Sequence, residues 1–342
     1  MSNENSKNTT WFPYDIEVGN SEFNMYSSRT LKQYIPLEKA EKSWNICVCL
    51  PHVKDSYWHS VNYGIVSESQ RLGVKMQLVE AGGYANLNKQ ISQIKDFIAN
   101  GANAIVIGAI SFDGLNQVIR EAKEKGIPVI DIVNDVSSTD ISAKSMVYFG
   151  EMGYKIGQYL AERHPKGSKI VKVGWFPGPA GADWAQAADK GFLDAIYGSD
   201  SAVRIVETKF GDTSKDTQSR LVEETIEFHP DLKYIVGTAV TAEASYDLLR
   251  SRNLTKDIKI MSYYYTSGVH KGIQRGQILA ATTDSVVIQG RVAIDQAIRI
   301  LEDKSYDKHV GPTLFVIDEN NINQVDRTAI LSPIDFKPIY NI

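Results

Sequence analysis

Sulfur and long apolar runs are both scarce in this sequence. Two cysteines among 342 residues exclude a disulfide-stapled scaffold. Cys47 and Cys49 alternate along one strand pattern, where positions i and i+2 share a face but make a strained bridge, so they read as small core residues. The longest apolar runs, such as NAIVIGAI, fall far short of the ~20 residues a bilayer span requires. Positive charge is not in excess either: 37 Lys and Arg stand against 41 Asp and Glu, a net charge of -4, which gives no electrostatic reason to bind nucleic acid. No nucleophile elbow or P-loop motif is present, and GWFPGPAG spaces Gly174, Gly178 and Gly181 wrongly for a dinucleotide fingerprint. His52 and His59 flank one loop without a thiolate pair nearby and read as loop or surface residues, poor ligands for zinc. A nucleophile, base and oxyanion donor cannot be assembled. The chain therefore reads as a non-enzyme with no cofactor and no metal.

What is present is a rhythm. At 342 residues the chain exceeds the roughly 250 to 300 at which one core stops growing, so two domains are expected. From Asn45 onward, short Val/Ile-rich strands alternate with amphipathic helices, the pattern of parallel α/β sheets. Strands are predicted at NICVCLP, VKMQLVE, NAIVIGA, IPVIDIV, SMVYFG, KIVKVGWF, VRIVETK, KYIVGTA, IKIMSY and ILAATTD. The Ser/Thr/Asp-rich stretch from Asp135 to Ser142 separates two blocks of strands and is taken as the domain boundary.

The first 44 residues contain Pro13, Gly19 and Pro36 with several aromatics, and are expected to pack on the body as an irregular extension. They carry no basic surplus, which argues against a helix-turn-helix reader. The opening MSNENSKNTT is polar and lacks the apolar core of a secretory signal. Two explanations stay open: a cytosolic protein, or an exported one whose signal has been replaced by Met1.

In open parallel sheets ligands sit outside the carboxyl ends of the strands, and here those ends are unusually aromatic. Asp55, Tyr57 and Trp58 follow the first strand, Tyr84 the second, Trp184 and Gln186 the sixth, and Tyr263, Tyr264 and Tyr265 the ninth. Asp135 and Asp284 bring carboxylates to the same level. Each has a plainer reading. Trp58 lines up with Val61 and Ile65 on a helix face, Tyr84 suits an ordinary loop, and Trp184 suits a helix start. Alternation sends Tyr263 and Tyr265 one way and Tyr264 the other, so part of the triplet is packing. Jointly, aromatics at independent strand ends describe a box around one crevice.

The stretches GGYANLNKQISQIKDFIANGANAIVIGAISFDGLNQVIREAKEKGIPVIDIVND, GPAGADWAQAADKGF and GQILAATTDSVVIQGRVAIDQAI resemble the type I periplasmic binding proteins over about Asn45 to Asp318. The resemblance implies two doubly wound α/β lobes joined by three crossovers and closing on a small ligand. It also implies lobes of 45–137 plus 284–312 and of 138–283 plus 313–342, with 1–44 as an extension. It puts Tyr57 and Trp58 at stacking positions, and Asn134 and Asp135 at the first crossover. Gln186 stands where sugar binders have an arginine and Val240 or Thr241 where an aspartate is common, departures that count against a sugar. Aromatic walls with few gripping charges suit a methylated cation. In this the chain is similar to family members that sense trimethylamine N-oxide in the periplasm and touch the membrane only through a sensor histidine kinase. That likeness implies Tyr264 as the triplet's cleft-facing member and Asp55 as a polar partner of the ligand.

Overall fold

A computed structural model describes residues 10–342; the polar opening stretch 1–9, which bears on secretion, lies outside them. In chain order come β1 (Tyr14–Gly19), β2 (Arg29–Tyr34), β3 (Asn45–Leu50), α1 (Ser56–Leu72), β4 (Lys75–Glu80), α2 (Leu87–Ala99), β5 (Ala104–Ile107), α3 (Asn116–Glu124), β6 (Val129–Ile132) and β7 (Ala143–Ser145). Then follow α4 (Phe149–Arg163), β8 (Val171–Phe176), α5 (Asp183–Gly198), β9 (Val203–Thr208), α6 (Lys215–Phe228), β10 (Leu232–Gly237), α7 (Ala239–Ser251), β11 (Lys259–Ser262), α8 (Ser267–Gln274) and β12 (Ala280–Thr283). The last elements are α9 (Val286–Leu301), β13 (His309–Pro312), β14 (Phe315–Asp318) and α10 (Arg327–Ile330).

Two sheets form, ordered β2-β1-β13-β7-β6-β5-β3-β4 and β14-β12-β11-β10-β8-β9. Their central strands are parallel and covered on both faces, which is why β3 and β5 are near-continuous apolar runs rather than alternating ones. Cys47 and Cys49 lie in that core as free thiols, and burial pushes them up to about 11 and about 12. The chain passes between the sheets after β7, after β12 and after β13, giving the two lobes and three crossovers. Among the described residues no helix is long and apolar enough to cross a membrane.

Three expectations need correction. The segment SMVYFG is not the first strand of the second lobe: β7 covers Ala143–Ser145 and pairs in parallel with β6 and β13 in the first sheet, while Phe149 already opens α4. The first crossover thus falls at 146–148, and the polar stretch 135–142 is a loop within the first lobe. The extension is not irregular, because β1 and β2 form a hairpin that adds antiparallel strands to β13. β2 is an edge strand with one buried residue, so its sequence carries no alternation to read. Finally, the tail leaves the second lobe after β14. Asn341 bridges Gln77, and Ile342 exchanges backbone hydrogen bonds with Met76 on β4 of the first sheet.

The extension is anchored by buried carboxylates. Trp11 Nε1 donates to Glu68 at 2.8 Å, while Asp295 on α9 accepts from Tyr34 Oη at 2.5 Å and from the Leu37 amide at 2.7 Å. A hydrogen bond to a buried charge contributes about 1.5 to 3 kcal/mol. Tyr34→Phe is accordingly expected to lower stability by that amount in urea titration, with loss of hydrogen-exchange protection concentrated in residues 14–34. Wild-type stability in this variant, or loss spread evenly over both lobes, would contradict the anchoring role.

Helices α4 and α5 cross in the second lobe with almost no side chain between them. A Cβ on Gly191 would lie 1.8 Å from the Gly150 carbonyl oxygen, and one on Gly153 would lie 2.1 Å from that of Ala188. The two helices therefore touch backbone to backbone and cannot slide independently.

Candidate ligand site between the lobes

The carboxyl ends of the strands bring the aromatic residues together as the sequence suggests. Asp55 caps α1 by accepting from the Trp58 amide at 3.0 Å, which sets Tyr57 and Trp58 in the helix's first turn directly after β3. Tyr84 lies in the loop after β4, and its hydroxyl accepts from Asn134 Nδ2 at 3.1 Å; the same amide also reaches the Ala109 carbonyl at 2.8 Å. From the second lobe, Trp184 sits at the start of α5. Its six-membered ring lies over Gly178, where a Cβ would come within 2.8 Å of it and where φ is +114°. Only glycine suits both demands.

Tyr264 follows β11 in a tight turn closed by Ser262 Oγ, which donates to the Tyr264 carbonyl at 2.7 Å. Its ring meets Tyr57 edge-on across the lobes at 5.5 Å, and Tyr84 approaches Trp184 at 6.5 Å. The rings of both lobes are in contact, as in a closed form. Tyr263 and Tyr265 are buried elsewhere. Tyr263 packs on Trp175 and donates to the Pro177 carbonyl at 2.7 Å, whereas the Tyr265 hydroxyl meets His270 Nδ1 at 2.9 Å. They do not share a face as alternation predicts, because β11 ends at Ser262 and the pleat does not continue through the triplet.

Beneath the rings lies a buried carboxyl. Tyr57 Oη donates to Asp284 Oδ2 at 2.6 Å, and Asp284 is 1% exposed. Desolvation pushes its pKa up to about 6 against the opposing hydrogen bond from Tyr57. Burial and the neighbouring carboxyl in turn hold the Tyr57 phenol well above its ordinary value. Burial raises Tyr84 and Tyr264 as well, so every tyrosine of the group keeps its proton. One donor is unspent. Trp184 Nε1 is buried and has no hydrogen-bond partner among the described residues, although a buried donor left unpaired costs about 1 to 3 kcal/mol.

The remaining expected residues stand further off. Asp55 has a half-exposed side chain at the rim. One oxygen caps α1, and the other faces His52 Nδ1 at 4.0 Å. Asp135 is paired with Lys144, a buried lysine that also lies 4.0 Å from Asp131. Gln186 is exposed and turns its amide back to the Ala180 carbonyl at 2.7 Å. Thr241 is buried in a hydroxyl and amide network with Thr238 and Gln218. Two further residues belong to the group. Phe149 lies 5.8 Å from Trp184, and His52 is not a free surface residue but packs edge-on against Trp58 and Tyr84, at 6.1 and 5.7 Å. Both follow strand ends, and the rule that identified the tyrosines would have found them had β7 been placed correctly and the histidine been counted as an aromatic ring. Among the described residues no group of three His, Cys, Asp or Glu could hold a metal ion.

Two lobes, three crossovers and ring contacts across the cleft define a ligand-binding protein of the type I periplasmic fold. Residues 46–305 match the periplasmic binding protein domain, and the chain belongs to that family, whose members bind ligands and are not enzymes. It is 35% identical over 314 residues to the periplasmic protein TorT of Escherichia coli K12, covering 91% of this chain and 88% of TorT. A solved complex of TorT with the TorS sensor domain in the presence of TMAO (trimethylamine N-oxide) superimposes with a TM-score of 0.80 at 35% identity, over 87% of this chain and 99% of that one. An ABC transporter solute binding protein from Bradyrhizobium sp. BTAi1 with bound bis-tris superimposes with a TM-score of 0.90 at 55% identity, over 97% and 99% of the two chains.

Proposed function

We propose that this protein is a periplasmic sensor that binds trimethylamine N-oxide between its lobes and signals through the periplasmic domain of a TorS-like membrane histidine kinase. The observation that carries the reading is a set of rings drawn from both lobes, one of them an indole whose buried N–H has nothing to donate to among the described residues. Trimethylamine N-oxide needs both parts. Its methylated, positive end is attracted to the faces of Tyr57, Trp58, Tyr84 and Tyr264. Its negative oxygen takes the hydrogen bond that Trp184 Nε1 has to give. Ionised Asp284 behind Tyr57 adds negative potential on the cation's side. Likeness to TorT, and the TorT complex with TorS in the presence of TMAO, support the partner. Contact with the membrane would then run only through the kinase.

A transport receptor is the second reading, favoured by the 55% identical ABC transporter solute binding protein. The bis-tris in that protein is a tertiary amine bearing hydroxyls, and its amine end suits an aromatic cage better than a pure sugar does. Titration calorimetry with trimethylamine N-oxide, trimethylamine, ribose and arabinose separates the readings. Saturable binding of the N-oxide, weaker binding of the amine that lacks the oxygen and no heat from either sugar are expected. A pentose that binds where the N-oxide does not would replace the sensor reading with the transport one.

A further inference from the structure

Away from the cage, a groove of about 500 Å³ lies where the N-terminal hairpin meets α4 and α5, walled by Glu17, Tyr26, Arg29, Glu151, Tyr154 and Asp194. Its two sides belong to different lobes. Glu17 and Arg29 sit on β1 and β2 of the first sheet, with Tyr26 in the turn between them, while Glu151 and Tyr154 are on α4 and Asp194 on α5 of the second lobe. The lobes meet here through Tyr26 and Tyr148, whose rings are 5.1 Å apart and whose hydroxyls are 3.1 Å apart. Tyr148 belongs to the first crossover, and the next residue is the Phe149 that touches Trp184. The groove's width is therefore tied to closure of the lobes over the cage.

Its chemistry is unbalanced in one direction. Asp194 is held by Lys190 at 2.5 Å, and the Arg29 guanidinium reaches His309 Nε2 at 3.4 Å. Burial and repulsion from Glu151 raise the Glu17 carboxyl, while the Arg29 guanidinium, which attracts both acids, and Lys155 oppose that rise without cancelling it. Tyr26 and Tyr154 nevertheless remain 77% and 45% exposed. The Ser27 hydroxyl on the same wall is buried without a hydrogen-bond partner among the described residues. The lining sets the acids Glu17, Glu151 and Asp194 against the cations Arg29 and Lys190, and the acid left over, flanked by open tyrosine faces, complements a long cationic side chain whose stem lies on the rings and whose head neutralises the excess.

We propose that this groove receives a lysine or arginine side chain of the kinase's sensor domain and is the surface through which that partner reads lobe closure. The inference rests on the sensor reading above. The partner's cation bridges a first-lobe and a second-lobe carboxylate, which is possible only at the separation that the closed form sets. A partner that grips this geometry shifts the open–closed balance by its difference in affinity for the two forms.

The test uses the full chain and the purified periplasmic sensor domain of the host's TorS-like kinase, with binding measured by biolayer interferometry with and without trimethylamine N-oxide. Glu151→Lys is expected to weaken sensor-domain binding by at least about tenfold and Tyr26→Ala by about fivefold. Glu151→Lys should still bind the N-oxide in calorimetry, since Glu151 does not touch the cage, whereas Tyr26→Ala, which removes a contact between the lobes, should weaken binding of the N-oxide less than it weakens binding of the sensor domain. Phe228→Ala, at a 76% exposed position at the end of α6, should leave both affinities unchanged. If the two groove variants bind the sensor domain as tightly as the parent, the groove is not the contact surface and the sensor reading survives without it. A parent that binds the N-oxide but no sensor domain in either state overturns both.

Discussion

Trp184→Ala should weaken binding of trimethylamine N-oxide by about 30-fold to several thousand-fold while leaving the protein folded. Two losses add up in this one side chain. Removing a ring from a desolvated cation cage costs about 0.5 to 2 kcal/mol. Removing a hydrogen bond to a charged oxygen costs a further 1.5 to 3 kcal/mol or so, and each 1.4 kcal/mol is about tenfold in affinity. The fold should tolerate the change because the indole N–H is bonded to nothing in the protein. Trp184→Phe weights the two contributions differently: it keeps an aromatic face in the cage but loses the N–H together with the outer ring that lies over Gly178, so it should fall between parent and alanine variant for the N-oxide and lie closer to the parent for trimethylamine. Calorimetry on both ligands reads this directly. If Trp184→Phe binds the N-oxide like the parent, the oxygen is held by some other donor.

The second large effect concerns Asp284. Burial raises its carboxyl from the ordinary 3.8 to about 6, a difference of about 3 kcal/mol between the two protonation states. Folding therefore favours the protonated form. The stabilisation of that form is complete below about pH 3.8 and is lost as pH rises through about 6. Above that range the folded protein carries the full cost of a buried charge. Asp284→Asn removes the charge and keeps an acceptor for Tyr57, so relative to the parent it should gain up to about 3 kcal/mol at pH 7.5 and almost nothing at pH 4. Denaturation curves of parent and variant at several pH values measure this difference. A difference independent of pH from 4 to 8 would show that Asp284 does not titrate in that window. The same variant should bind a methylated cation more weakly at pH 7.5, because the negative potential behind Tyr57 is gone. Better stability with poorer binding would mark a carboxylate kept for its ligand.

How much of this could be read beforehand varied with the physics of each segment. Strands buried on both faces announce themselves as apolar runs, and β3, β5, β8 and β10 were legible for that reason. β2 and β7 were not. β2 exposes nearly all its side chains at a sheet edge, and β7 is three residues long with a buried lysine at its centre. That lysine also explains why Asp135 is paired within the first lobe. Nothing in the sequence says that Lys144 turns inward to meet Asp131 and Asp135, since burying a lysine is favourable only once its partners are in place. The aromatic group was legible because it depends only on which residues follow strand ends. Gln186 follows one too, but its first helical turn points it at its own loop. Position after a strand identifies the level of a residue; the direction of its side chain is settled by contacts distant in sequence.

The bare crossing of α4 and α5 gives the second lobe a mechanical property. Phe149 and Trp184 open these two helices, and Glu151, Tyr154 and Asp194 lie from about half a turn to nearly three turns further along them. With 1.5 Å of rise per residue, Trp184 and Asp194 are separated by roughly 15 Å of rigid helix. Side chains between helices can change rotamer and absorb a small displacement, but carbonyl oxygens pressed against glycine Cα atoms leave no such slack. The pair behaves as one welded beam, with a ring of the cage at one end and the groove's acids along its length. A tilt imposed by closing over a ligand as small as trimethylamine N-oxide would reach the surface undiminished.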